Sequence, residues 1–218
     1  MSADLKNLPH TNPLDMAIAH LESETGLAII MDPETAVRDG VSQILACLGE
    51  DPTRDGLRDT PRRVARMYGE LLGGYEQDLD TIVNEAKFDV SYGAGEMVVA
   101  SHIEYVSMCE HHMLPFTGKV HVAYLPKDRV IGLSKIPRIV DMFAHRLQVQ
   151  ERLTNEIADA LEGAIDPGGV MVVLDGQHSC AALRGVKKHG MNMTTTAQRG
   201  AFRDDRGLRE EFYRLLGK

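Results

Sequence analysis

Ile103-Glu104-Tyr105-Val106-Ser107-Met108-Cys109-Glu110-His111-His112 sets a β-like run directly against a thiol, a carboxylate and two imidazoles. Just downstream, Gly118-Lys119-Val120-His121-Val122-Ala123-Tyr124-Leu125 alternates at Val120, Val122 and Tyr124, the period-two pattern of a strand with one buried face. A strand, a polar turn and a returning strand predict an antiparallel pair with the polar cluster at its tip. So dense a cluster is hard to explain as packing. Cys and His are the side chains best suited to Zn²⁺, and the Cys109-x-x-His112 spacing lets both reach one ion from a turn. The third ligand expected is Cys180, in Gln177-His178-Ser179-Cys180, where another His stands two residues before another Cys. Three protein ligands leave a tetrahedral ion one position for water, the arrangement of a catalytic site rather than a structural one.

On the N-terminal side of this pair, Met97-Val98-Val99-Ala100 reads as strand, and the chain before it reads as helices. Asp32 caps and Pro33 opens a helix with Val37, Val41, Ile44, Leu45 and Leu48 at helical spacing, ending at Gly49. Cys47, inside that helix, reads as a small hydrophobe. Thr60 and Pro61 start a second helix with the stripe Val64, Met67, Leu71 and Leu72. Its first turns carry Arg62, Arg63 and Arg66; cations there oppose the helix dipole and hint at an anionic partner, against a default of a solvated basic face. Residues 1–31 mix Pro, Asn, Asp and Ser and are expected to be a flexible extension.

On the C-terminal side, Ser134 caps a helix with Ile136, Ile139, Val140 and Phe143 inward, which places Lys135 and Arg138 near its start. A further helix from Gln150 to Gly163 turns Leu153, Ile157, Ala160 and Leu161 inward, with Glu151 in its first turn. Val170 to Leu174 is a continuous apolar run of the kind found in buried strands, Met191 to Ala197 alternates, and a last helix uses Leu208, Phe212, Leu215 and Leu216. The fold class is therefore α+β: an N-terminal helical region over residues 32–95, then residues 96–218 as an antiparallel sheet with two helices inserted between its halves.

At 218 residues and 43% hydrophobic, the chain can bury one proper core. No apolar run approaches transmembrane length and the first residues lack a secretory pattern, so a cytoplasmic protein is expected. Three widely spaced cysteines make no disulfide framework and suit a reducing compartment. A net charge of -8 argues against nucleic acid or an anionic membrane as partner, but not against an anionic small molecule held in a local basic funnel. No Walker loop or Gly-x-Gly-x-x-Gly is present, so any phosphate must be met by Arg, Lys and helix N-termini. A metal at Cys109, His112 and Cys180 would supply hydroxide at neutral pH, with His111 and His178 free to shuttle protons; that predicts hydrolysis at an electrophilic carbon. The alternative is a structural zinc knot, or residues unrelated to one another.

Cys109-Glu-His-His112, Gly132-Leu-Ser-Lys135, Gln148-Val-Gln-Glu-Arg-Leu153, and His178-Ser-Cys180 with Arg184-Gly-Val186 together closely resemble GTP cyclohydrolase I, from about Val37 to the C-terminus. The resemblance implies a tunnelling fold in which sheets of neighbouring subunits join into a barrel, with a homodecamer and active sites at subunit interfaces. It implies conversion of GTP and water into formate and 7,8-dihydroneopterin triphosphate. By similarity, Cys109, His112 and Cys180 hold zinc, His111 and His178 assist proton transfer, and Glu151 with Gln150 recognises the guanine edge. Ser134, Lys135, Arg138 and Arg184 match triphosphate-binding positions, and Arg63 and Arg66 match a further basic pair. Arg66 stands where many bacterial members carry Lys, and Lys187 to Thr194 departs from the family's Ser/Thr-rich pattern. Two other readings compete: a non-catalytic zinc or nucleotide-binding regulatory module, which has no need of His111 and His178, and a nicotinamide-dependent reductase of the same superfamily. The nucleophilic cysteine of such a reductase would not be paired with a His three residues on and a distant Cys.

Overall fold

Val170 to Leu174 is buried without interruption because both faces of the strand it forms are covered. The computed structural model describes residues 32–84, 86–89 and 96–217; the expected flexible extension lies outside them. The chain divides into two compact units, one ending at Glu76 and one beginning at Gln77.

The first unit contains α1 (Pro33–Cys47), α2 (Thr60–Leu71) and a 3-10 turn (Gly73–Glu76). Asp32 caps α1 as expected, its carboxylate accepting from the backbone N–H of Glu34 and Thr35. The apolar stripe of α1 does not become a core: none of its residues is buried, and Ile44 and Leu48 are 59% and 74% exposed. Cys47 is exposed too, so its reading as a packed hydrophobe is corrected. In α2 the cap position falls on Asp59 rather than Thr60, and Pro61 and Ala65 are its buried residues. Asp59 lies 3.4 Å from Arg62 and 3.8 Å from Arg63, which offsets the basic crowding at this helix start.

The second unit begins at α3 (Leu79–Val83) and β1 (Lys87–Asp89), ahead of the boundary at residue 95 drawn from the sequence pattern. The reason is packing: β1 pairs with β4 (Arg129–Ile131), and α3 contacts α4 (Lys135–Ala144). The main sheet has five strands in the order β5-β2-β3-β6-β7, namely Leu147–Gln148, Val98–Cys109, Pro115–Leu125, Gly169–His178 and Met193–Gly200. The two runs expected as separate strands, Met97–Ala100 and Ile103–Met108, are one strand broken by a bulge in which His102 takes a φ of 60°. Among the described residues β5 is the one parallel neighbour, matching Met108 to Leu147 and Cys109 to Gln148, and it delivers the start of the next helix beside Cys109.

Helices α4 and α5 (Gln150–Ile165) cover one face of the sheet. Ile136, Ile139, Val140, Leu153, Ile157 and Leu161 meet Val120, Val122, Val172 and Leu174 there, and each such aliphatic side chain contributes about 1.5–3 kcal/mol on leaving water. Ser134 precedes α4 but its hydroxyl makes no capping hydrogen bond. The opposite face, with Ala123, Leu125, Met171 and Val173, is covered by Phe202 and Phe212 of α7 (Ala201–Asp204) and α8 (Arg206–Leu215); Leu215, expected inward, is 60% exposed. His121 is buried in the sheet, accepting at Nδ1 from the His102 backbone N–H, with Nε2 3.8 Å from Asp175. Among the described residues no helix is long and apolar enough to cross a membrane.

Candidate metal centre and active site

β2 ends at Cys109 and β3 begins at Pro115, so the turn between them carries the Glu-His-His cluster. The Cys109 N–H donates to Leu114 O at 2.9 Å and the Met113 N–H to Cys109 O at 2.8 Å. Met113 closes the turn with a φ of 51°, a left-handed conformation costing a non-glycine residue on the order of 1 kcal/mol. From the other side the Glu110 N–H donates to Gln148 O at 3.0 Å, tying the turn to β5.

Cys180 reaches this turn from α6 (Ser179–Ala182), which follows β6 directly. Pairing of Phe116 with His178 across β3 and β6 fixes that approach. The thiol sulfurs of Cys109 and Cys180 and a ring nitrogen of His112 all lie within 4.8 Å of one another. Metal bonds of about 2.3 Å give a tetrahedral edge of about 3.7 Å, a small side-chain adjustment from these separations, so two thiols and an imidazole here can hold one metal ion. The donor set is soft, as zinc prefers. Burial raises the Cys180 thiol pKa, and the neighbouring Cys109 thiol raises it further. His111 also approaches Cys109, with Nδ1 3.9 Å from the sulfur, but it is His112 that completes the three-residue group. The Arg184 guanidinium lies against Nε2 of His112.

His178 stands at the end of β6, its ring stacked on Phe116 at 4.6 Å and 4°. Burial lowers its pKa while the Glu151 carboxylate opposes that shift, so the imidazole is mainly neutral at pH 7. Its Nε2 lies 2.8 Å from Oε1 of Gln150. Gln150, only 1% exposed, is engaged inside the fold: its amide nitrogen contacts Leu174 O, Met193 O and Thr195 Oγ1 at 3.0, 2.9 and 3.2 Å. Glu151, the next residue, is exposed in the first turn of α5.

Ser134 and Arg138 are exposed around the first turn of α4, whereas Lys135 between them is 7% exposed. Arg184 is the one expected phosphate-binding residue with a contact to the metal group itself. Arg63 and Arg66 lie exposed on α2, in the first unit.

Arg152 is a functional residue that sequence reasoning missed. Its guanidinium joins the Glu110 carboxylate, Leu147 O at 2.8 Å and Gln148 Oε1 at 3.0 Å. The hydrogen bond and charge of Arg152 hold Glu110 below the usual carboxylate range, with a smaller contribution from His111. Glu110 therefore fastens the metal turn to α5, and its contact with the His111 ring, 3.9 Å, is too long for a hydrogen bond. Arg152→Ala is expected to weaken metal retention about 10-fold in chelator competition while leaving the melting temperature nearly unchanged. Undiminished retention would remove the fastening role.

Residues 37–217 match the family described as GTP cyclohydrolase I. The chain belongs to the GTP cyclohydrolase I family. GTP cyclohydrolase 1 of Pseudoalteromonas atlantica is 51% identical over 177 residues, 81% of this chain and 95% of that relative. The enzyme of Chlorobaculum tepidum is 49% identical over 182 residues, 84% of this chain and 80% of its own length, and that of Coxiella burnetii is 49% identical with 84% and 98% covered. This member of the GTP cyclohydrolase I family is thus an enzyme, and its sheet with two inserted helices is the α+β tunnelling-fold architecture expected of the family.

Proposed function

We propose that this enzyme converts GTP and water into formate and 7,8-dihydroneopterin triphosphate, the entry to a pterin- or folate-type route, with zinc at Cys109, His112 and Cys180. The observation that carries the reading is the three-residue metal group with two further histidines, His111 and His178, beside it but outside the ligand set. When bound, zinc supplies Lewis acidity and a water acidic enough to attack C8 of the purine near neutral pH. The protein's own groups do the rest. His178, mainly neutral and held in a fixed plane, takes and returns protons as the imidazole ring of the purine opens, and exposed His111 assists. Glu151 accepts from N1–H and the amino group of guanine, a pattern adenine cannot present; adjacent Gln150 helps by fixing the start of α5. Ser134, Lys135, Arg138 and Arg184 bind the triphosphate, bringing local positive charge to an acidic chain, and Arg63 and Arg66 are a further substrate-binding basic pair.

The exposed stripe of α1 supports assembly into a homo-oligomer, which by family analogy is a decamer with active sites at subunit interfaces. Free thiols at Cys47, Cys109 and Cys180 suit a reducing compartment and support a cytoplasmic location. Incubation of the zinc-loaded protein with GTP is expected to release one formate per pterin, the pterin read by fluorescence after oxidation. GTP binding without formate would favour the regulatory module instead, and nicotinamide oxidation without formate would favour the reductase.

A further inference from the structure

We propose that Gln150 is a positioning residue that fixes the tautomer and plane of His178, placing the ring proton on Nε2 and leaving Nδ1 as the accepting atom of this imidazole. The inference rests on the reading of His178 as a proton-transfer group.

A primary amide has one accepting oxygen and a donating nitrogen, and the two ends are told apart by their partners. On the nitrogen side of Gln150 stand the carbonyls of Leu174 at 3.0 Å and Met193 at 2.9 Å, which only accept. The orientation of the amide is therefore determined. Its Oε1 faces His178 Nε2 at 2.8 Å, and because this oxygen cannot donate, the proton of that contact must sit on Nε2.

The surrounding hydroxyls agree. Thr154 Oγ1 donates to the Gln150 carbonyl at 2.7 Å, so the 2.6 Å contact between the two threonines is a donation from Thr195 to Thr154. Thr195 Oγ1 then has a lone pair left for the Gln150 amide at 3.2 Å. Every proton of the chain runs in one direction, and reversing the amide would set its oxygen against two carbonyl oxygens, an unsatisfied buried arrangement.

Two further features reserve this place for the amide. Gly176 faces it, and a Cβ there would collide with Gln150 Oε1 and the Tyr105 hydroxyl. Phe116, stacked at 4.6 Å and 4°, stops the His178 ring from turning. With Nε2 occupied, the neutral ring has its lone pair on Nδ1, and among the described residues Nδ1 has no hydrogen-bond partner.

Neutron diffraction from deuterium-exchanged, zinc-loaded protein at mildly alkaline pH reads the tautomer without turnover. A deuteron on Nε2 alone is the expected result; one on Nδ1 overturns the proposal. As a second measurement, Gln150→Met should lower kcat for formate release on the order of 10- to 100-fold, a larger effect than any rise in the KM for GTP from loosening the start of α5. A raised KM at unchanged kcat would make Gln150 a direct guanine contact and overturn it. If this variant does not assemble, the neutron result still decides. The two readings also fail separately: no formate release with the deuteron on Nε2 refutes the GTP reading alone, whereas formate release with the deuteron on Nδ1 refutes the positioning role alone.

Discussion

Cys180→Ser is expected to strip the bound metal on dialysis and to lower formate release on the order of 10³-fold, the two losses occurring together. Cys109 and His112 come from one turn, and Cys180 is the group that converts them from two ligands into three. Serine keeps nearly the same volume, so the half-buried site beside the core is not emptied. What changes is the donor: a thiolate that bonds zinc strongly becomes a hydroxyl that stays protonated at neutral pH and binds it poorly. The melting temperature of the metal-depleted wild type is the proper reference, and the variant should match it. Metal analysis by mass spectrometry and formate release are the two readouts. Turnover persisting after the metal is gone would contradict the zinc-dependent reading, and metal retained at full occupancy would remove Cys180 from the ligand set.

How much of the fold is legible in the sequence divides along the range of the interactions. The β2–β3 pair and the buried run of β6 follow from periods that a few neighbouring residues reveal, and α5 is anchored by Leu153, Ile157 and Leu161 where its spacing put them. The same periodicity misjudged α1. Spacing says which side chains share a face, but not whether this chain supplies something to cover it, and Ile44 and Leu48 are left exposed. Cap positions slipped for a related reason: Thr60 and Ser134 are suitable residue types, yet the backbone places Thr60 inside its helix and leaves the Ser134 hydroxyl without a capping bond.

At the site, the local half was readable and the long-range half was not. Cys109 and His112 announce themselves by spacing, and the second His–Cys pair pointed to Cys180. Nothing in sequence spacing joins Glu110 to Arg152, or His178 to Gln150, because each pair meets only after β5 has paired with β2 and β6 with β3. Gln150 shows the consequence most clearly. The resemblance places it with Glu151 at the guanine edge, and residues next to each other at a helix start point in different directions. The Gln150 amide turns into the sheet to satisfy two carbonyls, while Glu151 stays exposed.

His178→Ala is expected to lower kcat on the order of 10²- to 10⁴-fold while zinc content and the KM for GTP stay near wild type. The argument begins with what the ring does not do. It is outside the three-residue metal group, so its removal should leave Cys109, His112 and Cys180 able to bind. Its structural contribution is the stack on Phe116 and one hydrogen bond to Gln150. Losing both costs about 1–3 kcal/mol of stability, partly from the cavity and partly from the unpaired Gln150 oxygen, which a melting curve separates from any effect on chemistry. What remains is the proton-transfer role. Burial keeps the imidazole neutral near pH 7 and so able to accept a proton, and a methyl group cannot. Single-turnover measurements at saturating GTP isolate that step from binding and product release. A variant that turns over at the wild-type rate would end the role of His178 in proton transfer, and one that loses its zinc would show that the ring supports the metal instead.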